Sequence, residues 1–185
     1  MAPSSSDKGN IESHDLALKS GTKLWLSLHR NVSKPQLLFP ILRAHPHLAM
    51  MDAACIVSTS QLVVAANMAS TRKSNNQAWE TVMGAASSTH VGHVLRDYAF
   101  GEDSICQGKA TVLVLAVGGT LEDFKTQLKE VGLKDPQPIP PFFSKQKTSE
   151  EIANICRLYK ITADEVAMSS LEQAVLTRIS TKFFV

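Results

Sequence analysis

The feature that most constrains the fold is an apolar run, TVLVLAV at residues 111–117, which ends at the Gly118-Gly119 pair. A strand that is apolar on both of its faces is typical of the interior of a sheet that is covered on both sides. The chain must therefore supply apolar elements for two faces, and we expect this run to be the central strand.

Three other segments have strand patterns. Lys23–Val32 alternates leucines with other residues and is the clearest. Ala53–Val57 is a short apolar stretch, and Trp79–Ala86 is a weaker candidate because Gly84 and several alanines dilute it. A small sheet of three or four strands is therefore predicted.

Five capping boxes predict helix starts. In such a box, the N-cap side chain and the side chain three residues later each satisfy a free backbone N–H group. A further helix is predicted from Thr89, and the last helix is expected to run to about Ser180. The five boxes are Ser33/Gln36, Ser58/Gln61, Thr120/Asp123, Thr148/Glu151 and Thr162/Glu165.

This order of elements predicts an α/β (α+β) fold: a small three- to four-stranded mixed sheet packed with helices, with a helical C-terminal third. A length of 185 residues, of which 44% are hydrophobic, suits one domain. We place that domain at 21–185 and expect the polar, Ser-rich residues 1–20 to form a flexible tail.

Composition bounds the compartment and the partners. The start of the chain lacks a basic stretch followed by an apolar one, so no signal peptide is predicted. Three widely spaced cysteines form neither a disulfide framework nor a zinc pattern, and we expect a soluble, intracellular protein with no membrane segment. A net charge of +2 means that any RNA site must be a local basic patch.

Four ordered segments resemble the family of PRPK-binding proteins, the small kinase- and tRNA-binding subunit of the KEOPS (EKC) complex. They cover most of residues 23–185. The segments are LWLSLHRNVSK, then IVSTSQLVVAANMA, then HVGHVLRDYAF with the strand ATVLVLAV, and finally LYKITADEVAMSSLEQAVLTRISTKFFV.

The resemblance implies a non-catalytic subunit of cytoplasm and nucleus that needs no cofactor. Such a subunit docks on the N-lobe of the atypical KEOPS kinase and, through it, joins the other subunits. It captures the single-stranded 3′ CCA end of tRNA. The complex adds a threonylcarbamoyl group to an adenosine next to the anticodon of that tRNA. The sequence departs from the family at Ser74–Gln77, where Asn75 replaces an expected arginine although Glu80 is retained. A variant that keeps only the kinase contact is therefore a further reading.

The tRNA-binding candidates are cationic or aromatic residues near helix ends. Arg72 and Lys73 suit RNA phosphates, and they equally suit the negative end of a helix dipole. His90 is a candidate for stacking on a base, and Lys182 offers an ammonium group in the Ser-Thr-Lys ending.

Four apolar residues on two helical stripes are candidates for the kinase interface, because exposed apolar patches commonly mark such surfaces. They are Leu62, Met68, Met168 and Leu171.

The alternative reading is a small metal- or thiol-dependent enzyme. Two histidine pairs have metal-ligand spacing, but no third ligand stands at zinc spacing from either. No G-x-S-x-G motif is present, so we assign no catalytic residue and no metal site. The residues on which this alternative depends are His45/His47, His90/His93 and Cys106.

Overall fold

The computed structural model describes residues 10–101, 104 and 108–182 of the chain. Four strands form one sheet in the order β1-β2-β4-β3, and every pairing among the described residues is antiparallel. The predicted α+β class with four strands is confirmed, with an antiparallel sheet in place of a mixed one. The strands are β1 (Ile11–Asp15), β2 (Lys23–Ser33), β3 (Leu48–Asp52) and β4 (Lys109–Val117).

Helices cover the sheet and make up most of the described chain after β4, which confirms the helical C-terminal third. They are α1 (Phe39–Arg43), α2 (Thr59–Ser70), α3 (Gln77–Ala85), α4 (Val91–Asp97), α5 (Leu121–Glu130), α6 (Pro140–Ser144), α7 (Ser149–Tyr159), α8 (Ala163–Met168) and α9 (Leu171–Thr181). Within the described ranges, none of these helices is long and apolar enough to cross a membrane.

The apolar run at 111–117 is an inner strand with both faces buried, as predicted. Leu113 and Leu115 belong to the larger core, which packs beneath α2, α3, α7 and α9. Val112 and Val114 belong to a second core on the opposite face, where Phe124 of α5 covers them. Each of these four strand residues has no exposed surface. The two cores therefore explain why the strand has no polar face.

Three of the five capping boxes form in full. Thr120, Thr148 and Thr162 each accept a hydrogen bond from the backbone N–H three residues on, and the acid there accepts one in return. At Ser58 the box is half formed: Ser58 Oγ accepts from the Gln61 N–H, whereas Gln61 Oε1 accepts from the N–H of Val57. These caps set the starts of α2, α5, α7 and α8.

The predicted box at Ser33 is wrong. Ser33 stays in β2, paired with Lys109, and a 3₁₀ turn at Pro35–Leu38 starts from Lys34 without a side-chain cap. Because the backbone of Ser33 is paired within the sheet, Ser33 does not start a helix. Within the described residues, Gln36 Oε1 is buried without a hydrogen-bond partner.

Two predicted strands are wrong. The strand before α2 is β3, and Ala53–Cys55 forms a 3₁₀ turn because Asp52 Oδ1 accepts from the Ala54 N–H at 2.9 Å. The segment predicted at Trp79–Ala86 is α3, whose start is capped by Asn76 Oδ1 accepting from the Trp79 N–H at 2.9 Å. The small residues that dilute the strand pattern form the face of a helix packed closely on α2.

Two boundaries also differ from prediction. Residues 11–15, placed in the tail, form edge strand β1 against β2. The predicted long last helix is divided into α8 and α9, because Ser170 Oγ accepts from the Gln173 N–H at 3.1 Å and starts a new helix.

Candidate functional site

Three of the predicted RNA contacts lie at the ends of two helices that pack together. Arg72 and Lys73 follow α2, and Lys182 follows α9. Helices α2 and α9 are in contact, and the charge of Arg72 is close enough to Lys182 to lower the pKa of that lysine. We call Arg72, Lys73 and Lys182 the α2–α9 basic cluster.

Within this cluster, Arg72 is held by an ion pair. Its Nη1 donates to Glu80 Oε2 of α3 at 2.9 Å, and 38% of the arginine side chain is exposed. The pair links the end of α2 to α3, so Arg72 has a structural role. Glu80, which matches a glutamate of the family, therefore orients Arg72.

Lys182 caps the end of α3. Its Nζ donates to the carbonyl oxygens of Ala86, at 2.7 Å, and of Met83. These carbonyls lie at the C-terminal end of the helix, where a cation complements the dipole. Burial, and then the charge of Arg72, lower the pKa of Lys182 to about 8. The lysine therefore carries its charge at neutral pH and loses it in mildly alkaline solution.

The segment between α2 and α3 is a short, ordered connection. Lys73 and Asn75 are exposed in it. Ser74 Oγ accepts from the Asn76 N–H at 3.2 Å, and Asn76 in turn caps α3. The sequence SNNQ therefore starts a helix here, and the exposed Asn75 stands where the family arginine was expected.

His90 lies on a different element from the basic cluster. It is the exposed N-cap residue of α4, and its ring centroid is 4.6 Å from that of His93. Its position at the surface agrees with a stacking role, and its described ring contact is with another histidine.

The second histidine pair is also at the surface. His45 Nδ1 is 3.7 Å from Glu130 Oε2, and His47 is exposed. Over the described ranges, no group of three or more His, Cys, Asp or Glu side chains is placed to hold a metal ion. Cys106 lies outside the described residues.

The predicted kinase contacts differ widely in exposure. Met168, at the end of α8, is 89% exposed. Met68 and Leu171 are half-buried. Leu62 is wrong as a surface contact: it has no exposed surface, because its face of α2 packs into the larger core.

Sequence reasoning missed an apolar surface beside edge strand β3. Leu37, Ile41 and Val91 are exposed by 62%, 43% and 48% respectively. A groove of about 230 Å³ lies beside them, lined in part by Phe39 of α1 and Leu95 of α4. Helical spacing predicts the helices that carry these residues but not their exposure. Spacing alone does not separate a core stripe from an uncovered one.

A second missed feature is a cluster of cations around an aromatic ring. Arg30 of β2 and Lys147, which precedes α7, both lie near the ring of Phe142 in α6. The signal in the sequence is the segment FFSKQK, in which two phenylalanines stand next to two lysines.

Comparison with known proteins identifies one family. The family model described as "Kinase binding protein CGI-121" matches residues 27–183, from the second strand to the end of the described chain. No curated protein matches the chain. The match includes the helices that carry the basic cluster and Met168. This chain therefore belongs to the CGI-121 family of kinase-binding proteins.

Proposed function

We propose that this chain is a non-catalytic subunit of the KEOPS (EKC) complex of cytoplasm and nucleus. It binds the atypical kinase subunit and the 3′ CCA end of tRNA, and so supports threonylcarbamoyl-adenosine modification. The observation that carries the proposal is the match to a kinase-binding family over residues 27–183. The grouping of Arg72, Lys73 and Lys182 at adjacent helix ends supports the RNA part.

The kinase surface includes Met168 in this proposal, because a methionine that is 89% exposed has apolar surface that a partner can bury with a gain in free energy. Met68 and Leu171 are half-buried and are proposed to lie at the margin of this kinase surface. Met168→Asp is expected to weaken kinase binding, because the partner would have to bury an unpaired charge. Ile41→Asp, a matched change on the other apolar surface, is expected to leave binding unchanged. The reverse result would place the kinase beside β3.

The RNA surface is the α2–α9 basic cluster. Lys73 is exposed and Arg72 is partly so, and cations in such positions attract phosphates whatever the base sequence. Because the pKa of Lys182 is about 8, binding is expected to weaken as the pH rises through that value. His90 is proposed to stack on an unpaired base.

The experiment is tRNA binding by the whole chain, with and without the CCA end, at two salt concentrations. We expect CCA removal to weaken binding, and Lys73→Ala to remove most of that difference. Lys129→Ala, at an exposed lysine of α5, serves as the control for charge. Equal binding of both tRNA forms would refute CCA capture, and binding of neither form would leave the kinase contact alone.

A further inference from the structure

A second basic site lies at the other end of β2 from the loop that contacts α2. Leu18, in the loop before β2, donates its N–H to Asn67 Oδ1 of α2 at 3.0 Å. Arg30 lies seven residues beyond Lys23, the start of β2. A strand rises about 3.3 Å per residue, so Arg30 is about 20 Å from that loop. The site is therefore separate from the α2–α9 basic cluster.

A shallow cavity of about 160 Å³ marks this site. Three cations line it, one from β2 and two from the segment between α6 and α7. Gln146 also lines the cavity, and a hydroxyl group, a phenyl ring and one acid are the other lining groups. Apart from Gln146, these residues are Arg30, Lys145, Lys147, Thr111, Phe142 and Glu151, which we call the Phe142 cluster.

An aromatic ring holds two of the cations in place. Arg30 Cζ is 5.8 Å from the centroid of Phe142, and Lys147 Nζ is 6.0 Å from it. Lys147 Nζ also lies 5.9 Å from the centroid of Phe143, whose ring meets that of Phe142 edge-on at 5.2 Å. Ring faces attract cations, so these contacts gather two positive charges that would otherwise repel each other.

The one acid that lines the cavity offsets only part of this charge. Glu151 Oε2 accepts a hydrogen bond from the Thr148 N–H at 2.6 Å in the capping box of α7, and its charge also acts on Lys147. The lining keeps an excess of positive charge over negative. Burial lowers the pKa of Lys147, the charge of Glu151 opposes that shift, and the nearby charge of Lys145 adds to it. An anion at this site would relieve the repulsion between these two lysines.

The sheet adds to the same surface. The register of β2 against β4 shifts between His29 and Val32, and Asn31 there has a φ of 56°. This bulge lies beside Arg30, which is exposed. On β4, Lys109 and Thr111 are two residues apart and so share one face of the strand. Lys109 is exposed and extends the basic surface to the start of β4.

The arrangement suits a phosphodiester rather than a base. Both phenyl rings already lie close to cations, which leaves little ring surface for stacking. A hydroxyl donor next to a guanidinium and two ammonium groups is a typical set of phosphate contacts. Such contacts position a nucleic acid without reading its sequence.

We propose that the Phe142 cluster binds backbone phosphates of the same tRNA whose CCA end lies at the α2–α9 basic cluster. This inference rests on the proposed tRNA role. It assigns the duplex part of the tRNA to a surface at the other end of β2 from the loop that contacts α2, the helix that carries part of the basic cluster. Binding at both sites then requires an RNA that has a single-stranded end and a duplex long enough to reach the Phe142 cluster.

The test compares the wild-type chain with an R30Q/K147Q variant, using tRNA with and without CCA over a series of salt concentrations. We expect the variant to bind both forms about ten-fold more weakly and to lower the slope of log affinity against log salt by about 1–2, because two phosphate contacts are lost. The CCA effect itself is expected to persist. The control K125Q/K129Q removes the same charge from two lysines of α5, which packs on the other face of the sheet, and is expected to change neither quantity.

The outcomes separate this inference from the proposed function. Equal binding of both tRNA forms by the wild type refutes end capture. An unchanged salt slope in R30Q/K147Q refutes the phosphate site. Thermal unfolding shows whether the variant is folded. A variant that binds tRNA normally but loses binding to the kinase, or to phosphatidylserine vesicles, would assign the cluster to that ligand and overturn the inference.

Discussion

A single hydroxyl group joins four elements of the larger core, and its removal tests how the fold is held together. The Tyr159 hydroxyl, fully buried at the end of α7, accepts from Gln61 Nε2 of α2 at 2.5 Å. It is also in donating range of two carbonyl oxygens, that of Ala85 at 3.0 Å and that of Cys55 at 3.1 Å. Tyr159→Phe removes all of these bonds without changing the packing of the ring.

The expected cost is about 2 kcal/mol, because a buried polar group that loses its partner costs about 1–3 kcal/mol. Gln61 Nε2 keeps a bond to the Ala85 carbonyl at 2.9 Å, which limits the loss. For a chain of this length, this cost lowers the melting temperature by roughly 4–8 °C. Urea unfolding followed by circular dichroism measures the free energy, and calorimetry measures the temperature.

Tyr98→Phe is the matched control. The Tyr98 hydroxyl donates to the Leu158 carbonyl at 3.0 Å, but Ser87 Oγ donates to the same oxygen at 2.6 Å. That carbonyl keeps a donor in the variant, so the expected cost is about 1 kcal/mol or less. If Tyr159→Phe proves no more costly than Tyr98→Phe, the network does not stabilise the core as described.

Three further predictions concern stability. Burial raises the pKa of Tyr98 to about 12, so its contribution to stability is expected to be full below about pH 10 and to fall between pH 10 and 12. Tyr98→Phe should make the alkaline fall in urea titrations smaller, and the part due to Tyr159, whose pKa burial also raises, should remain. Gly84→Val should cost about 1–3 kcal/mol, because a Cβ there lies 3.2 Å from Ala65 of α2; a melting temperature equal to the wild type would contradict this close helix contact. Thr148→Ala should cost about 1 kcal/mol through loss of the α7 cap, whereas Thr126→Ala, at an exposed site within α5, should not.

Much of the fold is predictable because local chemistry and tertiary packing agree. The central strand follows from an apolar run that no exposed element would tolerate. Three complete capping boxes mark helix starts that also exist in the structure. The errors occur where packing overrides the local pattern. Ser33 is drawn into β2 by pairing with Lys109, and Gly84 with its neighbouring alanines serves helix contact rather than a strand.

The candidate site is less predictable, because exposure and convergence depend on tertiary structure. Spacing placed Leu62 and Met168 on equivalent apolar stripes, yet one is fully buried and the other 89% exposed. The pairing of Arg72 with Glu80 needs α3 to be a helix, and that segment was predicted as a strand. The Phe142 cluster joins β2 to a segment more than a hundred residues later in the chain, a contact that no local motif announces.

We propose that one small domain holds a kinase and a tRNA at different surfaces. Met168, at the end of α8, lies just before α9, and Lys182 follows the other end of α9, whose 11 residues span about 16 Å. The direct measurement is tRNA binding by the whole chain while the kinase subunit is titrated to saturation. We expect a ternary complex in which tRNA affinity is not reduced. Displacement of the tRNA by the kinase would contradict it.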